Sequence, residues 1–354
     1  MVLDFFSFLA PAGIPLLYIN SYKKYFPQPI AALSSSEWQR LIAVLDDNRL
    51  VILTKSELCL MPEVQAITRK NFDDITTKKW IKAGVLFVSS VANSEKEERL
   101  DKVNRLAWHI AVLARWAIKA DLREQMGMLL KLLDKAGRKA INIWPDRAII
   151  SHLQGIEISE ILYGKEHHGV AIRINNLGQA WHRLGELTLA QAQLTKALTM
   201  LEKQPGDQQQ LIANLLGNIA LLRRDQKQID DASTYFQKAL AMVEHKHGLE
   251  HPLVNICVNG LGRIIKANQG PKVAIDFIGN VLAKSVRASG VKDHPNIAAV
   301  FCNLGILQAE TGEKGLARRS LLIANKMAKK TLPKKHPLHN QIEKNLKPLV
   351  DSDS

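Results

Sequence analysis

The sequence predicts a mainly α-helical chain: a solenoid of antiparallel helix pairs with 42–43-residue repeats, behind a small N-terminal α+β module. Three observations carry this prediction. Asn176-Leu177-Gly178 recurs as Asn218-Ile219-Ala220, Gly260-Leu261-Gly262 and Asn303-Leu304-Gly305. Small residues keep phase with it: Ala190, Ala232, Ala274 and Ala317 stand thirteen residues beyond each Leu or Ile, and Ala197, Ala239, Val281 and Ala324 stand twenty beyond. Ten residues before it lie His251-Pro252 and His294-Pro295, with His167-His168 at the same place and His336-Pro337 opening a further copy. A fixed period marks a unit that buries its apolar face only against copies of itself. Stacked units of this kind present an extended surface.

Taken in order, residues 1–75 read as a winged-helix-like module. Ser34-Ser35-Ser36-Glu37 offers N-caps for a helix through Trp38, Leu41, Ile42 and Leu45, which Asp46-Asp47-Asn48 ends. Leu50–Leu53 and Leu58–Met61 flank Thr54-Lys55-Ser56-Glu57 and read as a short β-hairpin, and Val64 to Phe72 as a helix. Residues 76–164 read as a helical spacer of degenerate hairpins. Leu106, Ile110, Leu113 and Ile118 mark one stripe, Met128, Leu129, Leu132 and Leu133 another, and Trp144-Pro145 is a break with a fresh helix start. Residues 165–348 form the array. Its first hairpin runs from Ala171 to Leu184, turns at Gly185, and continues from Leu187 to Leu201 before Pro205-Gly206. Residues 349–354 read as a disordered tail.

The array resembles tetratricopeptide (TPR) repeats of the kinesin-light-chain kind. The shared pattern is His-Pro, then Asn-Leu-Gly or Asn-Leu-Ala, a turn Gly, an Ala, and a closing Lys196-Ala197-Leu198 or Lys238-Ala239-Leu240. Departures are Lys227 in place of the turn glycine, Gln209-Gln210 in place of His-Pro, and Asn280-Val281-Leu282 in place of Lys-Ala-Leu. The resemblance implies a concave groove lined by the first helix of each pair. There the Asn of the Asn-Leu pair bonds the backbone of an extended peptide, which points to Asn176, Asn218 and Asn303, with Gly260 as the gap. Arg173, Arg183, Arg263 and Lys266 lie within two helical turns of these positions, so the implied peptide is acidic.

A second resemblance covers about 70 residues. Phe5-Phe6-Ser7-Phe8-Leu9-Ala10-Pro11 with Ile14-Pro15, then Val64-Gln65-Ala66-Ile67-Thr68-Arg69, is similar to the part of NB-ARC proteins of the STAND class that follows the nucleotide-binding core. Met61 or Pro62 occupies the place of that family's nucleotide-sensing histidine, and no GxxxxGK[ST] loop is present to cradle phosphates. The resemblance implies either a detached tail acting alone or a sensor tail acting with an NTPase supplied in trans.

Composition narrows the function classes. Of 354 residues 46% are apolar, as in a folded protein. Cys59, Cys257 and Cys302 form no CxxC pair, which suits a reducing, cytoplasmic location. The apolar N-terminus has no basic leader and is broken by Asp4, Pro11, Gly13 and Pro15, so neither a signal peptide nor a membrane span is expected. The net charge of +14 is uneven: residues 251–354 hold 16 basic and 7 acidic residues. That field favours an acidic partner. The run Lys326, Lys329, Lys330, Lys334 and Lys335 has no interleaved aromatics, which argues against nucleic acid. His245, His247 and His251 are a conceivable metal set, yet the repeat already accounts for His251. With no GxSxG, no HExxH and Asp230-Asp231 placed to cap a helix, no enzyme, metal or cofactor is expected.

Overall fold

The computed structural model describes residues 1–93, 106–204, 206, 208–247, 250–289 and 293–350. Pro205 of the expected hairpin end and residues 351–354 of the expected tail lie outside the described residues. The chain divides into two compact units, Met1–Ala197 and Leu198–Ser354.

The first unit opens with helix α1 (Val2–Phe6), strand β1 (Ile14–Pro15) and helix α2 (Leu16–Tyr22). Then follow α3 (Ser35–Asp47), β2 (Val51–Leu53), β3 (Glu57–Leu60) and α4 (Pro62–Lys70). Ser34 caps α3 through a reciprocal box: its Oγ accepts from Glu37 N–H at 3.2 Å, and Glu37 Oε2 accepts from Ser34 N–H at 2.7 Å. The expected hairpin forms, with Val51 opposite Leu60. It gains a third strand, β1, paired antiparallel to β3, giving the order β1-β3-β2. No sequence signal marked β1, because two residues are too short to show alternation.

Helices α5 (Asp74–Ala92), α6 (Ala107–Lys119), α7 (Arg123–Ala140) and α8 (Pro145–Tyr163) follow. One core runs through residues 1–75 and on into 76–164. Phe5 touches Phe26 at 4.5 Å and Phe87 at 5.8 Å, while Phe8 meets Trp116 edge-on at 5.3 Å. Two side chains of α4 satisfy the carbonyls at the end of α1. Gln65 Nε2 donates to Phe6 and Leu9 O at 3.1 and 3.0 Å, and Arg69 donates to Ser7 O. The unit closes with α9 (His168–Leu184) and enters α10 (Leu187–Glu202).

The second unit is a stack of helix pairs. Helix α11 (Gln209–Asp225) pairs with α12 (Ile229–His247), α13 (Pro252–Gln269) with α14 (Pro271–Ser289), and α15 (Pro295–Glu310) with α16 (Lys314–Thr331). Helix α17 (Pro337–Val350) packs on α16. The repeated small residues are the crossing points. A Cβ on Gly178 would stand 2.8 Å from Leu194, and one on Gly305 would stand 2.7 Å from Leu321. Ala190, Ala197, Ala232, Ala239, Ala274, Ala317 and Ala324 are wholly buried. Turn geometry follows as well: Gly185 is left-handed at φ 91°, and Lys227, standing where the turn glycine would be, holds φ 66°. Among the described residues no helix is long and apolar enough to cross a membrane.

Two histidines sit inside the first unit. His109 Nδ1 accepts from Ala10 N–H at 3.2 Å, and burial pushes its pKa down to about 4. His152 rests on Gly137, where an added Cβ would stand 2.4 Å from its ring. Burial, then Arg138 and Arg173, push its pKa to about 4 as well.

Two stability tests follow. Lys227→Gly should relieve the left-handed strain and raise stability by about 1 kcal/mol. Ala239→Leu should overpack its crossing and cost roughly 1–3 kcal/mol. Calorimetry that finds both variants melting like the parent would put the repeat register in error. Both buried histidines bind protons more weakly folded than unfolded, so their contribution is complete above pH 6.5 and is lost as pH falls toward 4. Each should cost up to about 3 kcal/mol over that window. Urea unfolding followed by tryptophan fluorescence should show this loss in the parent and a flatter profile in the His109→Gln, His152→Gln variant.

Candidate functional site

The repeated histidines position the first helix of each pair. In His251-Pro252, His251 Nδ1 accepts the Leu253 N–H at 3.2 Å, and His294 does the same for Asn296 at 3.2 Å. His336 accepts from Leu338 at 3.2 Å and His167 from Gly169 at 3.0 Å. A proline at the first helical position needs no partner for an N–H it lacks, so His-Pro closes the helix start with one acceptor. These rings are N-caps, and among the described residues no cluster could hold a metal ion. The side chains of His245 and His247 lie outside the described set.

With the helix starts held, the exposed faces of α13, α15 and α17 form one surface in the second unit. Asn303 of α15 donates its Nδ2 hydrogen to Asn259 Oδ1 of α13, and Asn259 donates to Asn255 Oδ1 at 2.6 Å. Beside this amide row lies a pocket of about 280 Å³. Arg263, Lys266, Glu310 and Gln341 rim it, over Ile278, Ile306 and Leu307. Lys266 Nζ pairs with Glu310 across the two helices, and both side chains are exposed. Among the described residues Arg263 has no ion-pair partner, and it is exposed at the rim. The geometry therefore brings Asn303, Arg263 and Lys266 together. Half-buried Asn218 lies on α11 in the same unit, next to Gly217, where an added Cβ would stand 2.5 Å from Leu253.

The remaining expected residues belong to the first unit. Arg173 is committed to packing: it donates to Asp134 Oδ2 at 2.6 Å and to Gly169 O at 2.7 Å, with side-chain exposures of 12% and 20% for the pair. The expectation of a ligand-steering cation meets a half-buried ion pair that ties α9 to α7. Asn176 is half-buried and accepts from Asn175 at 3.5 Å. Arg183 is exposed in the last turn of α9.

Sequence reasoning missed Asn255, Asn259 and Glu310. The gap assigned to Gly260 is a crossing point: an added Cβ there would stand 2.4 Å from Phe236. The amide that extends the row is its neighbour, Asn259. The signal was present as Asn255 and Asn259, one turn apart on a single face.

A family model described as tetratricopeptide repeat matches residues 212–253. No curated protein is a significant match. Among solved structures, BtubC (BKLC) from P. vanneervenii is similar at 18% identity and TM-score 0.50, over 59% of this chain and 84% of that one. A Podosopora anserina putative kinesin light chain with nearly identical TPR-like repeats is similar at 18% identity and TM-score 0.45, over 58% and 97%. A tetratricopeptide repeat protein from Parabacteroides merdae is similar at 14% identity and TM-score 0.43, over 78% and 95%. The fold is a TPR-like helical solenoid.

The two cation environments differ in a measurable way. Arg173→Ala leaves half-buried Asp134 without its counter-ion and should cost about 1.5–3 kcal/mol. Lys266→Ala breaks an exposed pair and should change stability by under about 1 kcal/mol. Equal melting shifts for the two would contradict this assignment.

Proposed function

We propose that the chain is a non-enzymatic interaction scaffold that holds an extended acidic peptide against α13, α15 and α17. The supporting observation is the amide row Asn255–Asn259–Asn303 beside the Arg263 and Lys266 rim. Each asparagine amide has two N–H donors, and the row consumes only one on Asn303 and one on Asn259. The second donor suits a main-chain carbonyl, which reads an extended chain without regard to its sequence. Arg263 then selects for a carboxylate, and Lys266 exchanges Glu310 for a peptide acid at little cost, because the exposed pair is weak. Ile278, Ile306 and Leu307 supply apolar contact beneath. TPR folds generally serve as non-catalytic scaffolds for protein partners. Cys59, Cys257 and Cys302 are free thiols, which suits a reducing, cytoplasmic setting.

A second reading is a sensor tail of a STAND-type system, with the N-terminal winged-helix-like module docked on an NTPase supplied in trans. What favours it is exposed apolar surface on that module: Leu17, Val44 and Ile52 are more than half exposed, and the module also carries a groove lined by Leu16, Trp38, Ile42 and Leu53. Co-purification of a P-loop NTPase that detaches on Ile52→Asp would support this reading.

The first reading predicts the outcome of replacing Asn259 and Asn303 by alanine together. Each lost amide bond is worth about 0.5–1.5 kcal/mol, so affinity for a partner purified with the parent protein should fall roughly tenfold or more. Arg263→Ala should act chiefly on the on-rate and flatten the salt dependence. Unchanged affinity in the double-asparagine variant, with helicity retained, would remove this face from the proposal.

A further inference from the structure

The first unit carries a different kind of site, independent of the repeat face. A pocket of about 460 Å³ opens between α4, the start of α5 and the end of α6. That is the size of a small-molecule site. Phe8, Phe72 and Trp116 form its apolar wall, and Arg69, Lys70 and Lys119 stand around it. Arg69 lies over the Trp116 ring with its guanidinium carbon 5.2 Å from the centroid, and Lys119 Nζ is 5.3 Å from the same centroid. Among the described residues none of these three cations has an ion-pair partner. Arg69 is half-buried, and among the described residues its hydrogen bond goes to the neutral Ser7 carbonyl. Burial alone holds its pKa below the usual arginine value. A guanidinium that pays desolvation without a counter-ion gains most from an anion entering the pocket.

Two carboxylates in the lining, Asp73 and Asp74, limit which anion enters. Asp73 caps α5 by accepting the Thr76 N–H at 2.7 Å, and hydrogen bonds from Thr76 hold it below the usual carboxylate range. Asp74 is paired with Lys78 at 2.7 Å. Both carboxylates repel a doubly charged group more than a singly charged one. The charge pattern therefore disfavours phosphate and admits a carboxylate.

We propose that this pocket binds a carboxylate joined to a flat apolar group, with the carboxylate against Arg69, Lys70 and Lys119 and the apolar group against Phe8, Phe72 and Trp116. Two sources carry that chemistry: a free aromatic acid, and the C-terminal residue of a peptide ending in an aromatic side chain. The site requires no covalent step and no cofactor.

The experiment titrates the full chain, ¹⁵N-labelled at its tryptophans, with phenylacetate, with a tetrapeptide ending in phenylalanine, and with inorganic phosphate. Trp116→Phe assigns the indole signal. The expected result is a saturable shift of the Trp116 resonance with at least one of the two carboxylates and a much weaker response to phosphate. Whichever carboxylate binds tighter identifies the source. Lys70 and Lys119 are exposed, so Lys70→Gln with Lys119→Gln should fold normally and weaken binding roughly tenfold, the worth of a lost charge-assisted contact. No saturable shift with either carboxylate, an unchanged affinity in the folded double-lysine variant, or phosphate binding as tightly as the carboxylates would each overturn the proposal. The last outcome would mark an unselective basic patch.

Discussion

Close approach between neighbouring helices is the constraint on which the rest of the second unit depends. The backbone of α15 comes near enough to α16 that an added Cβ at Gly305 would lie 3.1 Å from Ala317 O. Gly217 and Gly260 do the same between consecutive pairs, against Leu253 and Phe236. At a period near 3.6 residues, setting those residues into the crossings decides which others are left outside. Asn259 cannot share the crossing with Gly260, and it is turned to the face where Asn303 reaches it. The position of the amide row thus follows from the packing of the crossings. The histidine caps act at a second level: they fix where each first helix begins, and so keep the faces in phase.

Much of this was legible in the residues. The period, the hairpin turns and the small crossing residues are local or strictly periodic signals, and the helices appear where these place them. Lys227 shows the limit of pattern reading. The residue departs from the repeat, yet the backbone keeps the left-handed turn that a glycine would have adopted freely. The gap at Gly260 has a packing reason that the pattern did not show: an added Cβ there would stand 2.4 Å from Phe236. Contacts between elements distant in sequence were not legible. Nothing local says that Gln65 and Arg69 hold the carbonyls of Phe6, Leu9 and Ser7, or that β1 joins β3.

Charge was the least transferable reading. Arg173, Arg263 and Lys266 look alike in sequence, one or two turns from an Asn-Leu pair or its counterpart. In space they have three different fates: a half-buried pair with Asp134, an open rim position, and an exposed pair with Glu310. Lys330, in the densest basic run, is likewise tied to Asp293 at 2.6 Å. Local net charge therefore overstates what a ligand would meet. Partner geometry separates a cation that stabilises the fold from one that can steer an encounter.

We propose that the partner lies on the first-helix face of the second unit. Site-specific photo-crosslinking tests it most directly. A photoreactive residue at position 306, in the floor of the pocket, is compared with one at position 322, where an exposed leucine stands on the second helix α16. The account predicts covalent capture of the partner from position 306, competed by excess acidic peptide, and little from position 322. Capture from 322 with none from 306 would contradict it.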